Sequence, residues 1–140
     1  MKILEILTEK RKIGNIGEKA AARYLKKKGY KILERNFVAD NHEIDIIAKK
    51  KNLIAYVEVK TRTVGKENPK ESRPASSVTP KKQQGIIAAA RYYYGFNKYK
   101  LGPTLQRLDI IEVYMVNDEK KAKVKEIIHM ENAFNLNTAF

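Results

Sequence analysis

A chain of 140 residues without a cysteine cannot use disulfides, thiolate metal ligands or a cysteine nucleophile, and it is compatible with a reducing cytosol. Its 29 lysines and arginines against 16 acids leave a net charge of +13, enough to attract polyanions over about 8–10 Å in cell-like salt. Nucleic acid is the commonest such partner, ahead of anionic lipid and acidic protein, but charge alone names no reaction.

The start, MKILEILTEKRK, holds a short apolar stretch interrupted by Glu5. That is less than a secretion signal or a bilayer span requires, so the expectation is a cytoplasmic protein with no membrane partner. Segment 10–28 reads as a helix. Ile13, Ile16, Ala20 and Tyr24 recur at three- and four-residue spacing, with Lys19, Arg23, Lys26, Lys27 and Lys28 mostly outside that stripe. Gly29 suits the position just past its end. Strands follow at 31–36, 43–48 and 53–60, the last two joined as a hairpin through the polar tetrapeptide 49–52. Residues 63–80 then turn proline-rich and polar, and read as a mobile loop within a single domain spanning 1–140. Thr79 and Pro80 have the chemistry of an N-cap and first helical residue. The helix they open shows Ile86, Ala89, Ala90, Tyr93 and Tyr94 on one face, and Gly95 can end it. Strands at 107–116 and 124–130 complete an α/β pattern bordering on α+β, with helices packed on a sheet.

Two of these strands carry acids in apolar surroundings. One reads Glu43-Ile44-Asp45-Ile46-Ile47-Ala48, the other Leu53-Ile54-Ala55-Tyr56-Val57-Glu58-Val59-Lys60. In a central strand an unpaired carboxylate costs several kcal/mol, by the roughly 2–7 kcal/mol scale of unsatisfied polar burial. Side chains alternate, so Glu58 and Lys60 share a face while Val57 and Val59 take the other; Glu43 and Asp45 likewise share one. If the strands pair as a hairpin, Asp45 comes near Glu58. A cation between two carboxylates removes their repulsion, and Mg²⁺ prefers such oxygen ligands while keeping waters for substrate. Lys60 could then orient or deprotonate an attacking water, or stabilise the charge of a phosphoryl transition state. A self-neutralising Asp/Glu/Lys cluster explains the same residues, and at this level the two readings stand side by side.

These residues resemble the PD-(D/E)XK nuclease superfamily, whose site is an Asp on one strand followed by E-x-K on the next. More closely, the chain looks like the YraN family of small bacterial proteins, related to restriction-endonuclease-like and Holliday-junction-resolvase-like folds. The likeness is carried by Gly14, Gly17-Glu18, Ala21-Ala22, Tyr24-Leu25, Gly29-Tyr30 and Arg35-Asn36, and by E-I-D-I-I-A at 43–48 with V-E-V-K-T-R at 57–62. It resumes at Val78, Lys82-Gln83, Asp109 and Asn132-Ala133-Phe134. The resemblance implies a central mixed sheet of about five strands flanked by helices, with Asp45, Glu58 and Lys60 as the catalytic core. It also implies a metal, Mg²⁺ or Mn²⁺, held by Asp45, Glu58, the Val59 carbonyl and Glu18, the last directly or through water. One departure is His42, where the family usually has Gly. A tight turn needing positive φ is harder for His, although Asn41 beside it tolerates that conformation. His42 is expected to be a solvated loop residue, and His129 is assigned no chemistry.

Arg62 follows the acids directly, and Lys66, Lys70 and Arg73 punctuate the loop. Lys81 and Lys82 oppose the dipole of the second helix, which makes sense with a phosphate near its N-terminal amides. Arg62, Lys81, Lys82 and Gln83 are therefore the expected nucleic-acid contacts. Tyr93 and Tyr94 are expected in the core and Tyr92 outside. The leading functional expectation is a metal-dependent endonuclease acting on DNA, including branched or structured DNA. The alternatives are a non-catalytic nucleic-acid-binding module on the same fold, and a basic adaptor for protein or ribosomal RNA. A homodimer is compatible with each.

Overall fold

A computed structural model describes residues 3–63, 78–118 and 121–134. Helix α1 (Ile3–Lys27) leads into β1 (Lys31–Ala39), β2 (His42–Lys50) and β3 (Leu53–Thr63); α2 (Pro80–Leu101) precedes β4 (Leu105–Asp118) and β5 (Lys121–Phe134). The five strands form one sheet in the order β1-β2-β3-β4-β5. Only β3 and β4 pair in parallel, the other neighbours being antiparallel, so the sheet is mixed. A parallel pair needs a long crossover, and α2 lies within it.

The alternation along β3 and β4, and along β2 save for a break between Ile44 and Ile46, divides the core between two faces. Against α1, the residues Ala21, Ala22 and Leu25 bury Ile46, Ala48, Ala55, Val57, Ile111 and Val113. Against α2, the residues Ile86, Ala89, Ala90 and Tyr93 bury Ile44, Ile47, Ile54, Tyr56, Leu108 and Ile110. Central strands covered on both sides explain why their apolar runs are nearly continuous. This is the α/β, restriction-endonuclease-like sheet with flanking helices that the sequence led us to expect.

Several details differ from expectation. The buried stripe of α1 is Gly17, Ala21, Ala22 and Leu25; Ile13, Ala20 and Tyr24 are half-buried beside it and Ile16 is exposed. Small residues win the centre because the helix axis lies close to the sheet. The helix also begins earlier, at Ile3, with Ile3 and Leu4 exposed. Helix α2 does not stop at Gly95 but continues to Leu101, where Gly102 (φ 74) caps it by donating its N–H to the Lys98 carbonyl at 2.9 Å. Its start is as the sequence suggests, with the Thr79 hydroxyl accepting the Lys82 N–H. The β1–β2 hairpin closes through Asp40 (φ 51) and Asn41 (φ 63). Both central residues carry positive φ, as a two-residue hairpin turn of this kind demands. His42 escapes that demand and is the first, half-buried residue of β2, not a solvated loop residue. The joint expected at 49–52 shrinks to Lys51 and Asn52, because β2 and β3 remain paired out to Lys50 and Leu53. Of the loop expected at 63–80, residues 64–77 lie outside the described residues, and Lys66, Lys70 and Arg73 with them.

Candidate active site

The β2–β3 ladder ends at the pair Ile46–Val57. One residue further along β2, the Asp45 carboxylate takes over as partner for β3: the Val59 N–H donates to Asp45 Oδ2 at 2.7 Å. A strand N–H that has lost its carbonyl partner needs another acceptor, and Asp45 supplies it. Glu58 is 6% exposed and lies on the α2 side of the sheet. Its Oε1 accepts from two ammonium groups, Lys82 Nζ at 2.7 Å and Lys60 Nζ at 3.5 Å. Lys60 is thus on the Glu58 face, as strand alternation requires.

Both helices press onto this spot through glycine. A Cβ on Gly17 would lie 2.0 Å from Thr61 Oγ1, so α1 approaches β3 at a distance no side chain permits. The next residue, Glu18, is thereby brought to the acids: Glu18, Glu43 and Asp45 each offer a carboxylate oxygen within 4.8 Å of the other two. Arg35 approaches Glu18 at 3.9 Å from β1. On the other face a Cβ on Gly85 would lie 2.4 Å from His42 Nδ1. That contact seats the second turn of α2 over the start of β2 and brings Lys82, one turn earlier, to Glu58. Two clefts of about 310 and 550 Å³ open here, and Asp45 and Glu58 line both.

Burial, reinforced by the Glu58 charge, pushes the Asp45 carboxyl up to about 8, against the opposing effect of the Val59 N–H. Burial also raises Glu18, partly offset by a hydrogen bond with Asp45. Burial lowers Lys60, and its neighbour Lys82 lowers it further. For Lys82 burial acts the same way, but the hydrogen bonds and charge of Glu58 outweigh it and leave the group raised. The site therefore holds acids that resist ionisation on the α1 side and a lysine-neutralised acid on the α2 side.

Of the residues singled out from sequence, Glu18, Asp45, Glu58, Lys60 and Lys82 converge, and Val59 lines the larger cleft beside Arg62. Lys82, an expected phosphate contact, pairs with Glu58 here. Gln83 is half-buried and spends its amide on the Val78 carbonyl at 3.0 Å, bracing the chain before α2. Lys81 is exposed on the first turn. Glu43 went unselected, although its place two residues before Asp45 on one strand face was a usable signal.

A second polar network lies on the α1 face. Asp109 is fully buried; its oxygens accept from Arg107 Nε and a terminal guanidinium nitrogen, both at 2.7 Å, and from the Asn132 N–H at 3.0 Å. His129 Nε2 stands 2.7 Å from Asp109 Oδ2, and its Nδ1 is 3.2 Å from the Tyr24 hydroxyl. These hydrogen bonds hold the Asp109 carboxyl below its usual range despite burial. His129, to which the sequence assigned nothing, is thus part of the brace between β4, β5 and α1. Glu112, opposite Lys60 in the register, is also fully buried. It accepts from the Tyr114 hydroxyl through Oε2, while its Oε1 has no partner among the described residues.

A mixed sheet with an acid–lysine cluster where β2 and β3 part, and a helix on either face, is the arrangement of the restriction-endonuclease-like class. The profile described as "Uncharacterised protein family UPF0102", which is the YraN family, matches residues 17–113 and so spans the whole site. A UPF0102 protein of Caldanaerobacter subterraneus is 44% identical over 125 residues, covering 89% of this chain and 96% of its own. UPF0102 proteins of Clostridioides difficile and Caldicellulosiruptor saccharolyticus are 45% and 42% identical, over 86% and 89% of this chain and 95% and 98% of theirs. The chain belongs to the UPF0102 family.

Proposed function

We propose that the protein is a metal-dependent nuclease that hydrolyses phosphodiester bonds, with DNA, including branched or structured DNA, as its substrate. The observation that carries this reading is Asp45: half-buried, pushed up to about 8, and within 4.8 Å of two further carboxylates. Three acids collected at one place, with Asp45 and Glu18 both resisting ionisation, are costly to a fold that has no cation for them. The donors are all oxygen, which suits Mg²⁺ or Mn²⁺. Glu18, Glu43 and Asp45 would hold the ion, with Glu58 and the Val59 carbonyl adjoining. Held there, the ion would supply Lewis-acid chemistry, activating a water and neutralising phosphate charge. Lys60, its ammonium weakened by burial, is placed to orient that water or accept its proton. Arg62 and Lys81 would hold flanking phosphates through charge. The preference for DNA, and for its branched forms, rests on fold analogy.

One observation favours a non-catalytic binding module instead. Lys82 at 2.7 Å and Lys60 at 3.5 Å already neutralise Glu58 without any metal. A cleavage panel of linear, single-stranded and branched DNA and RNA, with Mg²⁺ and with Mn²⁺, separates the two. Wild type should cut at least one substrate and Asp45→Ala, prepared identically, none. Equal products from both proteins across the panel would leave the binding module as the better account.

A further inference from the structure

Helix α2 presents an exposed aromatic row that neither core cluster uses. Tyr92 is 51%, Phe96 74% and Tyr99 90% exposed, at the i, i+4, i+7 spacing of one helix face. The Tyr92 and Phe96 rings lie 4.7 Å apart, tilted at 36°, and Lys98 Nζ stands 5.3 Å from the Tyr99 centroid. Large rings left in water at this spacing, along about 10 Å of helix axis, form a surface that gains by being covered.

What would cover it is indicated by the rest of the helix. Its sequence, PKKQQGIIAAARYYYGFNKYKL, contains Lys81, Lys82, Arg91, Lys98 and Lys100 and no acid. A second copy of the chain would bring the same cations against themselves, and an apolar protein partner has no use for them. Alternating rings and cations suit a ligand of flat faces joined by phosphates. Helical geometry also ties the row to the clefts: Lys81 and Tyr99 are about five full turns apart and so lie on one line of the helix, with Tyr92 about 20° away. The row therefore occupies the C-terminal half of α2 and lies in line with Lys81 of the first turn, the turn from which Lys82 meets Glu58.

We propose that α2 is a track for an unpaired strand of nucleic acid, whose bases stack on Tyr92, Phe96 and Tyr99 while its backbone leads towards the Asp45–Glu58 clefts. This rests on the nucleic-acid part of the function proposed above and not on catalysis.

The test is a titration of the full chain, in chelator so that nothing is cut, with labelled oligothymidylate, an abasic strand of equal length and a duplex. Wild type should bind oligothymidylate at least about tenfold more tightly than the abasic strand, because stacking needs bases. Combined Tyr92→Ala, Phe96→Ala and Tyr99→Ala should remove that difference and leave the duplex and abasic affinities unchanged. Tyr99→Phe should keep the difference and Tyr99→Leu should reduce it. These positions are exposed, and circular dichroism with thermal melting checks that the variants remain folded. Equal wild-type affinity for base-bearing and abasic strands overturns the track alone. So does an equal loss on all three ligands, or a change of sedimentation showing that the row joins two copies or holds an acidic protein. Wild type that binds none of the three overturns the nucleic-acid reading and the track together. Cleavage lost in Asp45→Ala with the base preference intact separates the fate of the active site from that of the track.

Discussion

Asp45, half-buried, and Asp109, fully buried, are both carboxylates drawn out of water, yet the structure treats them oppositely. Asp109 is surrounded by donors and is held as a charged acceptor; Asp45 has one backbone donor and faces other acids. The consequences for stability have opposite signs. Asp45, raised from 3.8 to about 8, binds a proton in the folded state that the unfolded chain releases between those values. The fold therefore loses stability as pH rises through that window. Asp45→Asn, which cannot ionise, should lack that loss, and its melting temperature should gain on the wild type's as pH rises from about 4 to about 8 and level off above. Added Mg²⁺ should raise the wild-type melting temperature most near the top of the window and leave Asp45→Asn nearly unmoved. A wild-type melting profile that is flat over the same range would refute this. For Asp109 the expectation is simpler. Asp109→Asn leaves the partly buried Arg107 guanidinium with only the exposed Glu131 carboxylate at 3.6 Å, and urea denaturation should show a loss of about 3 kcal/mol.

At the scale of elements, the site exists because two helices lie unusually near the sheet. Gly17→Ala would set a methyl 2.0 Å from Thr61 Oγ1 and 2.9 Å from its Cγ2, and no rotation of a branched side chain clears both. The helix must move, costing about 1–3 kcal/mol and drawing Glu18 away from Asp45. Thr61→Ala removes both clashing atoms, so the double variant should recover much of the loss, and the non-additivity is measurable as a double-mutant cycle. Gly95 is the contrasting case. It sits inside α2, exposed, and a Cβ there meets nothing within 4 Å. Gly95→Ala should stabilise the protein by about 0.5–1 kcal/mol through helix propensity alone.

For the whole molecule the governing quantity is the net charge of +13. Binding to nucleic acid should weaken steeply and log-linearly with salt as counterions are released. Charge reversal of Arg62 and Lys81, which flank the clefts, should cost more affinity than reversal of Lys121 and Lys123 on β5. Equal losses would mean that the overall field alone attracts the ligand and that it has no defined seat. No helix among the described residues is long and apolar enough to cross a membrane.

Much of this architecture can be read from the chain because it is written in short-range periods. The alternation of Val57, Glu58, Val59 and Lys60 assigns faces, and Thr79-Pro80 announces a helix start, since both depend on backbone geometry over a few residues. The three apolar strands bearing acids or flanked by turns, and the crossover helix, follow from the same local rules. Tertiary structure alone decided what crosses between elements. The length of α2 past Gly95 was hidden because a single glycine costs less than the packing and capping around it provide. The closeness of α1 shifted its buried stripe onto Gly17, Ala21 and Ala22, which no amphipathic pattern ranks above isoleucine. Lys82 on Glu58, Glu18 beside Asp45, and His129 on Asp109 each join residues from separate stretches of chain. Such meetings are set by how helices and strands stack, at distances of a few ångströms that local periodicity does not encode.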